Sequence, residues 1–287
     1  MQELGTEQTS AELYLELMKR CLLNSIYQDS GKQVGVYSQQ SRKLLEMKGA
    51  WSRRVVQFFA GWWVRTRRYR DFDPQIRREG RDWPETAHTM IGELRMENIQ
   101  QCMEEALKNN VPGDVIETGV WRGGVTIFMR AILKAYGVRD RRVWVADSFA
   151  GLPRANPKLY AADTADRCHT YRDLAVSMET VQENFRRYGL LDDQVSFLKG
   201  WFCDTLPSAP IEQLAVIRLD GDMYESTMDA LVHLYPKLSA GGYVIVDDFN
   251  AIPACRQAVH DFRDEHGITD PIQEIDWGGV FWKRAAC

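Results

Sequence analysis

Several things are missing from this sequence, and each absence narrows what the chain can be. None of its 287 residues belongs to an uncharged apolar run approaching the length of about 18 needed to cross a bilayer as a helix. The six cysteines (Cys21, Cys102, Cys168, Cys203, Cys255 and Cys287) are scattered, with no Cys-x-x-Cys pair. With a polar leader, Met1 to Ser10, in place of a secretory signal, they read as free thiols in a reducing compartment, the cytoplasm. No excess of one charge favours a nucleic-acid partner, since the formal net charge is -4. There is no internal repeat and no low-complexity segment. What remains, 45% hydrophobic and 26% charged, is ordinary globular material, enough for one α/β domain and an appendage.

The stretch from Leu214 to Asn250 carries the chemistry. Two short apolar runs rich in β-branched residues, Leu214 to Leu219 and Tyr243 to Val246, each end in acid: Asp220 and Asp222 after the first, Asp247 and Asp248 after the second. Between them Met228, Leu231, Leu234, Tyr235 and Leu238 recur at helical spacing, and the helix over 224–238 is expected to stop at Gly241-Gly242. Strand, helix, strand in one sheet requires a parallel pair with both carboxyl ends on one edge, where open α/β sheets bind ligands. Carboxylates converging there repel one another unless a hard cation neutralises them, and oxygen-only ligands suit Mg²⁺ or Ca²⁺. The plainer alternative is that Asp220, Asp222 and Asp248 cap the helices that follow.

In chain order, Ser10 followed by acids and leucines predicts a capped amphipathic helix over 11–26. Residues 41–70 combine an apolar stripe (Leu44, Met47, Trp51, Val55, Phe58, Trp62) with a cluster of arginines. Packing on the chain's own domain or in a dimer is preferred there to membrane contact, because the basic residues gather at one end. The expected division is a helical extension, 1–70, and a catalytic domain, 71–287. Within the latter, helices are expected at 85–109, 126–136, 174–188 and 253–266, with strands at 115–118, 143–146 and 195–198. A hairpin of 272–275 with 280–282 closes the chain. Residues 148–170 lack periodicity, and a loop of that length is usually a lid or a binding loop. The alternation predicts a doubly wound α/β sheet, parallel except near its end.

Where the first strand turns into the first helix stands Glu117-Thr118-Gly119-Val120-Trp121-Arg122-Gly123-Gly124. A dinucleotide fold would place a second glycine where Trp121 stands, so close approach to a pyrophosphate is disfavoured. Glu117 repels phosphate and suits an ammonium, while Asp147 at the end of the second strand suits a ribose diol. A cofactor with an amino-acid end, a ribose and no phosphate meets both conditions: S-adenosylmethionine.

Arg81-Asp82-Trp83-Pro84, His88 to Gly92, Ile116 to Gly124, Val145 to Phe149, Gly200-Trp201-Phe202, Arg218 to Thr227 and Gly242 to Asp248 together resemble the macrocin O-methyltransferase family, which methylates sugar hydroxyls on macrolide and aminocoumarin antibiotics. The resemblance covers about 71–284 and the first helix. It implies a class I methyltransferase fold with an antiparallel last strand, S-adenosylmethionine and Mg²⁺ as cofactors, a small glycosylated acceptor and a homodimer or higher homo-oligomer. Carried over by position, Asp220, Asp247 and Asp248 match the metal ligands. Thr89, Met90, Ile91, Glu117, Gly119, Gly123, Asp147, Ser148, Trp201, Phe202 and Asp220 fall in the segments that hold or surround the cofactor. The basic aromatic stretch within 32–68 looks longer than the family's usual link.

The expected chemistry is methyl transfer from a sulfonium to a hydroxyl oxygen, with Asp220 as first choice for the base, Asp222 as the second, and His169 in the long loop as a further candidate. A catechol would present the same diol to a metal and is the near alternative. A nicotinamide-dependent oxidoreductase is disfavoured by Trp121 and by the excess of carboxylates. A non-catalytic docking module would show cofactor binding without turnover.

Overall fold

The computed structural model describes residues 8–28 and 72–285; the basic aromatic segment over 41–70 and the expected domain boundary at 70 lie outside them. Seven strands form one sheet in the order β3-β2-β1-β4-β5-β7-β6. They are β1 (Asp114–Thr118), β2 (Val143–Asp147), β3 (Val195–Lys199), β4 (Leu214–Leu219), β5 (Leu238–Val246), β6 (Gln273–Glu274) and β7 (Val280–Lys283). The first five are parallel, and β7 runs antiparallel between β5 and the edge strand β6. The chain starts in the middle at β1, moves outward to β3, then returns to β4. The order therefore reverses between β1 and β4, and a crevice opens at their carboxyl ends.

Helices cover both faces, as parallel strands require. One face is closed by α1 (Ser10–Leu22), α3 (Glu93–Lys108), α4 (Gly124–Ala135) and α5 (Met178–Arg187), whose Leu15, Leu22, Met96, Ile99, Phe128 and Phe185 share a core with Val115 and Val145. The other is closed by α7 (Tyr224–Leu234) and α8 (Pro253–Glu265), with Leu231, Leu234 and Phe262 packed on Ile217 and Val244. Two further helices, α2 (Pro74–Arg78) and α6 (Phe202–Thr205), are short. Among the described residues no helix is long and apolar enough to cross a membrane.

Several boundaries differ from the sequence reading. The cap of α1 is Thr9, in a reciprocal box with Glu12, and the helix ends at Leu22. The helix expected from Glu85 begins at Glu93, because residues 85–91 are an irregular strap of bends whose carbonyls are taken by side chains of other elements. The α7 helix gives way at Pro236 to a 3-10 turn, and Gly241-Gly242 lies inside β5, where a Cβ on Gly242 would press on the carbonyl of Ala215 at 2.8 Å. The expected loop beyond Ser148 holds three 3-10 turns, Ala161–Ala165, Cys168–Thr170 and Arg172–Leu174, and runs on to Ser177, the cap of α5.

Candidate active site

Strand register builds the site. Thr118 lies beside Ala146 on one flank and Leu219 on the other, and Leu219 beside Val246. The next residue of each strand, Gly119, Asp147, Asp220 and Asp247, therefore falls in one row along the carboxyl edge. Backbone bonds carry the row past the strand ends: Gly119 N to Ala146 O, Asp220 N to Thr118 O and Asp247 N to Leu219 O, each 2.9 Å. A glycine at 119 is obligatory, since a Cβ there would fall 1.8 Å from the carbonyl oxygen of Asp220, and φ is +84°.

At the β4–β5 end, carboxylate oxygens of Asp220, Asp247 and Asp248 lie within 4.8 Å of one another. None of the acids caps a helix. The N-cap of α7 is Met223 and that of α8 is Ile252, neither with a side-chain cap. The amides of Tyr224 and Glu225 are instead taken by Asp163 from the long loop, at 2.7 and 3.1 Å. The capping alternative is thereby excluded. Asp222 joins the cluster with φ +60°. Burial, reinforced by the neighbouring acids, holds Asp220, Asp222 and Asp248 above the usual carboxylate range. One oxygen of Asp248 is buried without a hydrogen-bond partner.

Two buried arginines supply counter-charge. Arg218, fully buried in β4, spans three strands: Nη1 lies 2.6 Å from Glu117 and 2.8 Å from Asp220, and Nη2 pairs with Asp247. Arg95 of α3 pairs with the other oxygen of Asp247 and, at 2.8 Å, with Asp276 in the turn between β6 and β7. Both guanidinium pKa values are raised by these partners against the effect of burial. Sequence reasoning gave neither arginine a role. Arg218 carried a usable signal, because an arginine inside Leu-Ala-Val-Ile-Arg-Leu has to find anions once that strand is central.

On the β1–β2 side, Glu117 is buried and its pKa is pushed up to about 8, by burial first, with Arg218 pulling the other way. Its Oε2 is buried and has no hydrogen-bond partner. Asp147 accepts the amides of Val120 (2.8 Å) and Phe149 (2.7 Å), so its carboxylate organises both turns that begin the crevice. Ser148 Oγ donates to Gly151 O at 2.6 Å and shapes the second of those turns. Gly123, at φ +83°, opens α4 and packs on Val181, and Gly124 N donates to His88 O at 2.9 Å. That bond draws the strap against the glycine turn, where Thr89 and Ile91 are buried and Met90 is half-buried. Trp201, more than a third exposed, precedes α6, while the Phe202 ring reaches Gly221 between the acids. In the long loop, His169 is half-buried with Nδ1 unpartnered. Burial and then the charges of Asp222, Asp166 and Asp248 push the neighbouring Cys168 thiol up, which places this loop against the acid cluster.

A mostly parallel sheet with an antiparallel strand beside β5, a glycine turn after β1 and acids on the carboxyl edge define the class I methyltransferase fold. The solved O-methyltransferase NovP has this architecture, superposing with a TM-score of 0.82 at 47% identity over 96% of this chain and 100% of that one. The family described as macrocin-O-methyltransferase matches residues 11–284, and the chain belongs to it. Among its relatives are mycinamicin III 3''-O-methyltransferase of Micromonospora griseorubida, 50% identical over 97% of this chain and 98% of the relative, and demethyldecarbamoylnovobiocin O-methyltransferase of Streptomyces niveus, 48% identical over 96% and 95%. The chain is an S-adenosylmethionine-dependent O-methyltransferase.

Proposed function

We propose that the acceptor is a sugar hydroxyl of a glycosylated natural product and that transfer requires Mg²⁺. The observation that carries this reading is the convergence of Asp220, Asp247 and Asp248 oxygens within 4.8 Å, one oxygen of Asp248 buried and unpartnered. Oxygen donors gathered so closely fit a hard divalent cation, and these three residues would hold it. Such a cation, when bound, supplies Lewis acidity that lowers the pKa of the acceptor hydroxyl and orients it. Relatives named for methylation of mycinamicin III and of the rhamnosyl group of a tetracenomycin support a glycosylated acceptor over a catechol.

The residues of the chain then divide the work. Glu117 offers its unpartnered oxygen to the ammonium end of the cofactor, and Asp147, beside the glycine turn, faces the ribose. Thr89 to Ile91 and Trp201-Phe202 wall the crevice and exclude water. Asp220 takes the acceptor proton, and Arg218 holds its Oδ2 at 2.8 Å. Asp222 is the second choice, and His169 contacts the acceptor from the loop. The assembly is a homodimer, which sedimentation velocity at micromolar concentration will check.

Methyl transfer should be abolished by EDTA and restored by Mg²⁺. Asp220→Asn should lose turnover even at saturating metal, because an amide cannot take the proton, whereas Asp247→Asn should weaken metal affinity and leave cofactor affinity nearly intact. Full turnover in EDTA, measured by mass spectrometry on a glycosylated acceptor panel, would overturn the metal reading.

A further inference from the structure

Trp121 stands inside the glycine turn, two residues from Gly119 and two from Gly123, and its backbone φ is +49°. Gly119 and Gly123, on either side, are also left-handed, at +84° and +83°. A glycine would adopt this conformation freely, while a bulky side chain does so only where its surroundings over-determine it. The surroundings of Trp121 are specific. Its indole Nε1 donates to the carbonyl of Asp173 at 2.8 Å. The guanidinium of Arg122 lies 4.1 Å from the centre of its ring and donates to the carbonyls of Glu85 (2.9 Å) and Ala87 (2.8 Å) in the strap.

The long loop leaves the sheet at Asp147 on β2 and reaches the β4 side, where Asp163 binds the first amides of α7. On its way back it meets Trp121 at Asp173, above the end of β1, while Tyr171 lies 6.1 Å from the Trp83 ring. The Trp121 indole thus ties the returning limb, residues 168–176, to the glycine turn.

We propose that Trp121 is a positioning residue, whose indole fastens the returning limb of the long loop and, through Arg122, the 85–91 strap on opposite sides of the cofactor crevice. The proposal rests on the cofactor reading above. It accounts for a strained tryptophan where the turn would accept glycine at no conformational cost. Trp121→Phe keeps a ring for Arg122 and loses the N–H; Trp121→Gly loses both contacts and removes the backbone strain.

Hydrogen–deuterium exchange on the full-length, ligand-free protein and calorimetric titration with S-adenosylhomocysteine separate the outcomes. Both variants should exchange faster at Tyr171, Leu174 and Ala175, whose amides close the 3-10 turns, with the rest of the domain unchanged. Cofactor-product affinity should fall about five-fold in Trp121→Phe, the factor expected for one lost hydrogen bond, and further in Trp121→Gly. The Tm of Trp121→Gly should be no lower than that of Trp121→Phe. Unchanged loop exchange in both variants overturns the proposal, as does a freed loop with undiminished affinity or loosening spread over the whole domain. If the unaltered protein itself fails to bind S-adenosylhomocysteine, the cofactor reading falls, and the exchange comparison alone judges the fastening.

Discussion

Arg218 illustrates how much of the site depends on single side chains. Its guanidinium is the shared partner of Glu117, Asp220 and Asp247, with no exposure to water. Replacing it with Met should leave buried carboxylates uncompensated and destabilise the protein by about 3–5 kcal/mol, read from the urea midpoint, with Mg²⁺ recovering part of the loss. Beside the raised acids of the cluster, two other buried groups contribute to the pH dependence with opposite signs. Glu117 is raised to about 8, chiefly by burial, so the folded chain binds its proton more tightly than the unfolded chain does. Its contribution to stability is complete at low pH and is lost as pH rises to about 8. His88 has the opposite sign. Burial first, then Arg122 and Arg187, lower it from 6.5 to about 4, so its contribution is present above 6.5 and is lost as pH falls towards 4. Thermal melts without divalent cations should therefore show Tm falling from pH 6.5 to 8, where the histidine no longer acts. Mg²⁺ should flatten that fall, and His88→Gln should let stability go on rising below pH 6.5.

The elements matter chiefly through their ends. The α7 helix starts beside the acid cluster with no cap of its own, and Asp163, sixty-one residues earlier, accepts its first two exposed amides. Asp163→Ala should cost about 1–2 kcal/mol, as loss of a good cap does, and should speed exchange in the first turn of α7; an unchanged urea midpoint would contradict the assignment. Gly119→Ala should be more damaging, because its Cβ would meet backbone rather than a mobile side chain. Element type was legible in the sequence because buried parallel strands read as apolar runs and surface helices as 3.6-residue periods. Boundaries were less legible, for reasons particular to each. The strap at 85–91 has helix-compatible residues, but Arg77, Arg122 and Gly124 of other elements bind its carbonyls. The extension of β5 back to Leu238 through two glycines depends on Ala215 in the neighbouring strand.

For the whole molecule, the acids were legible as one edge because strand, helix, strand imposes parallel pairing, and the structure brings Asp220, Asp247 and Asp248 together there. Their counter-ions were not legible. Arg95 looks like any helical arginine until α3 packs across β4 and β5, and its second carboxylate partner beside Asp247 is Asp276, 181 residues further on. The same turn between β6 and β7 is gripped again by Trp277, whose Nε1 donates at 2.7 Å to the carbonyl of Glu79, a separation of 198 residues. These ties have a consequence for synthesis on the ribosome. A nascent chain that has already displayed every residue proposed to bind cofactor or metal still lacks Asp276 and Trp277, so Arg95 has only one of its two carboxylate partners and Glu79 lacks its tie to this turn. Completion of these ties is thus deferred until the β6–β7 turn has been translated. A chain arrested before Asp276 should remain protease-sensitive across α2 and α3, and addition of residues 276–285 should protect both at once.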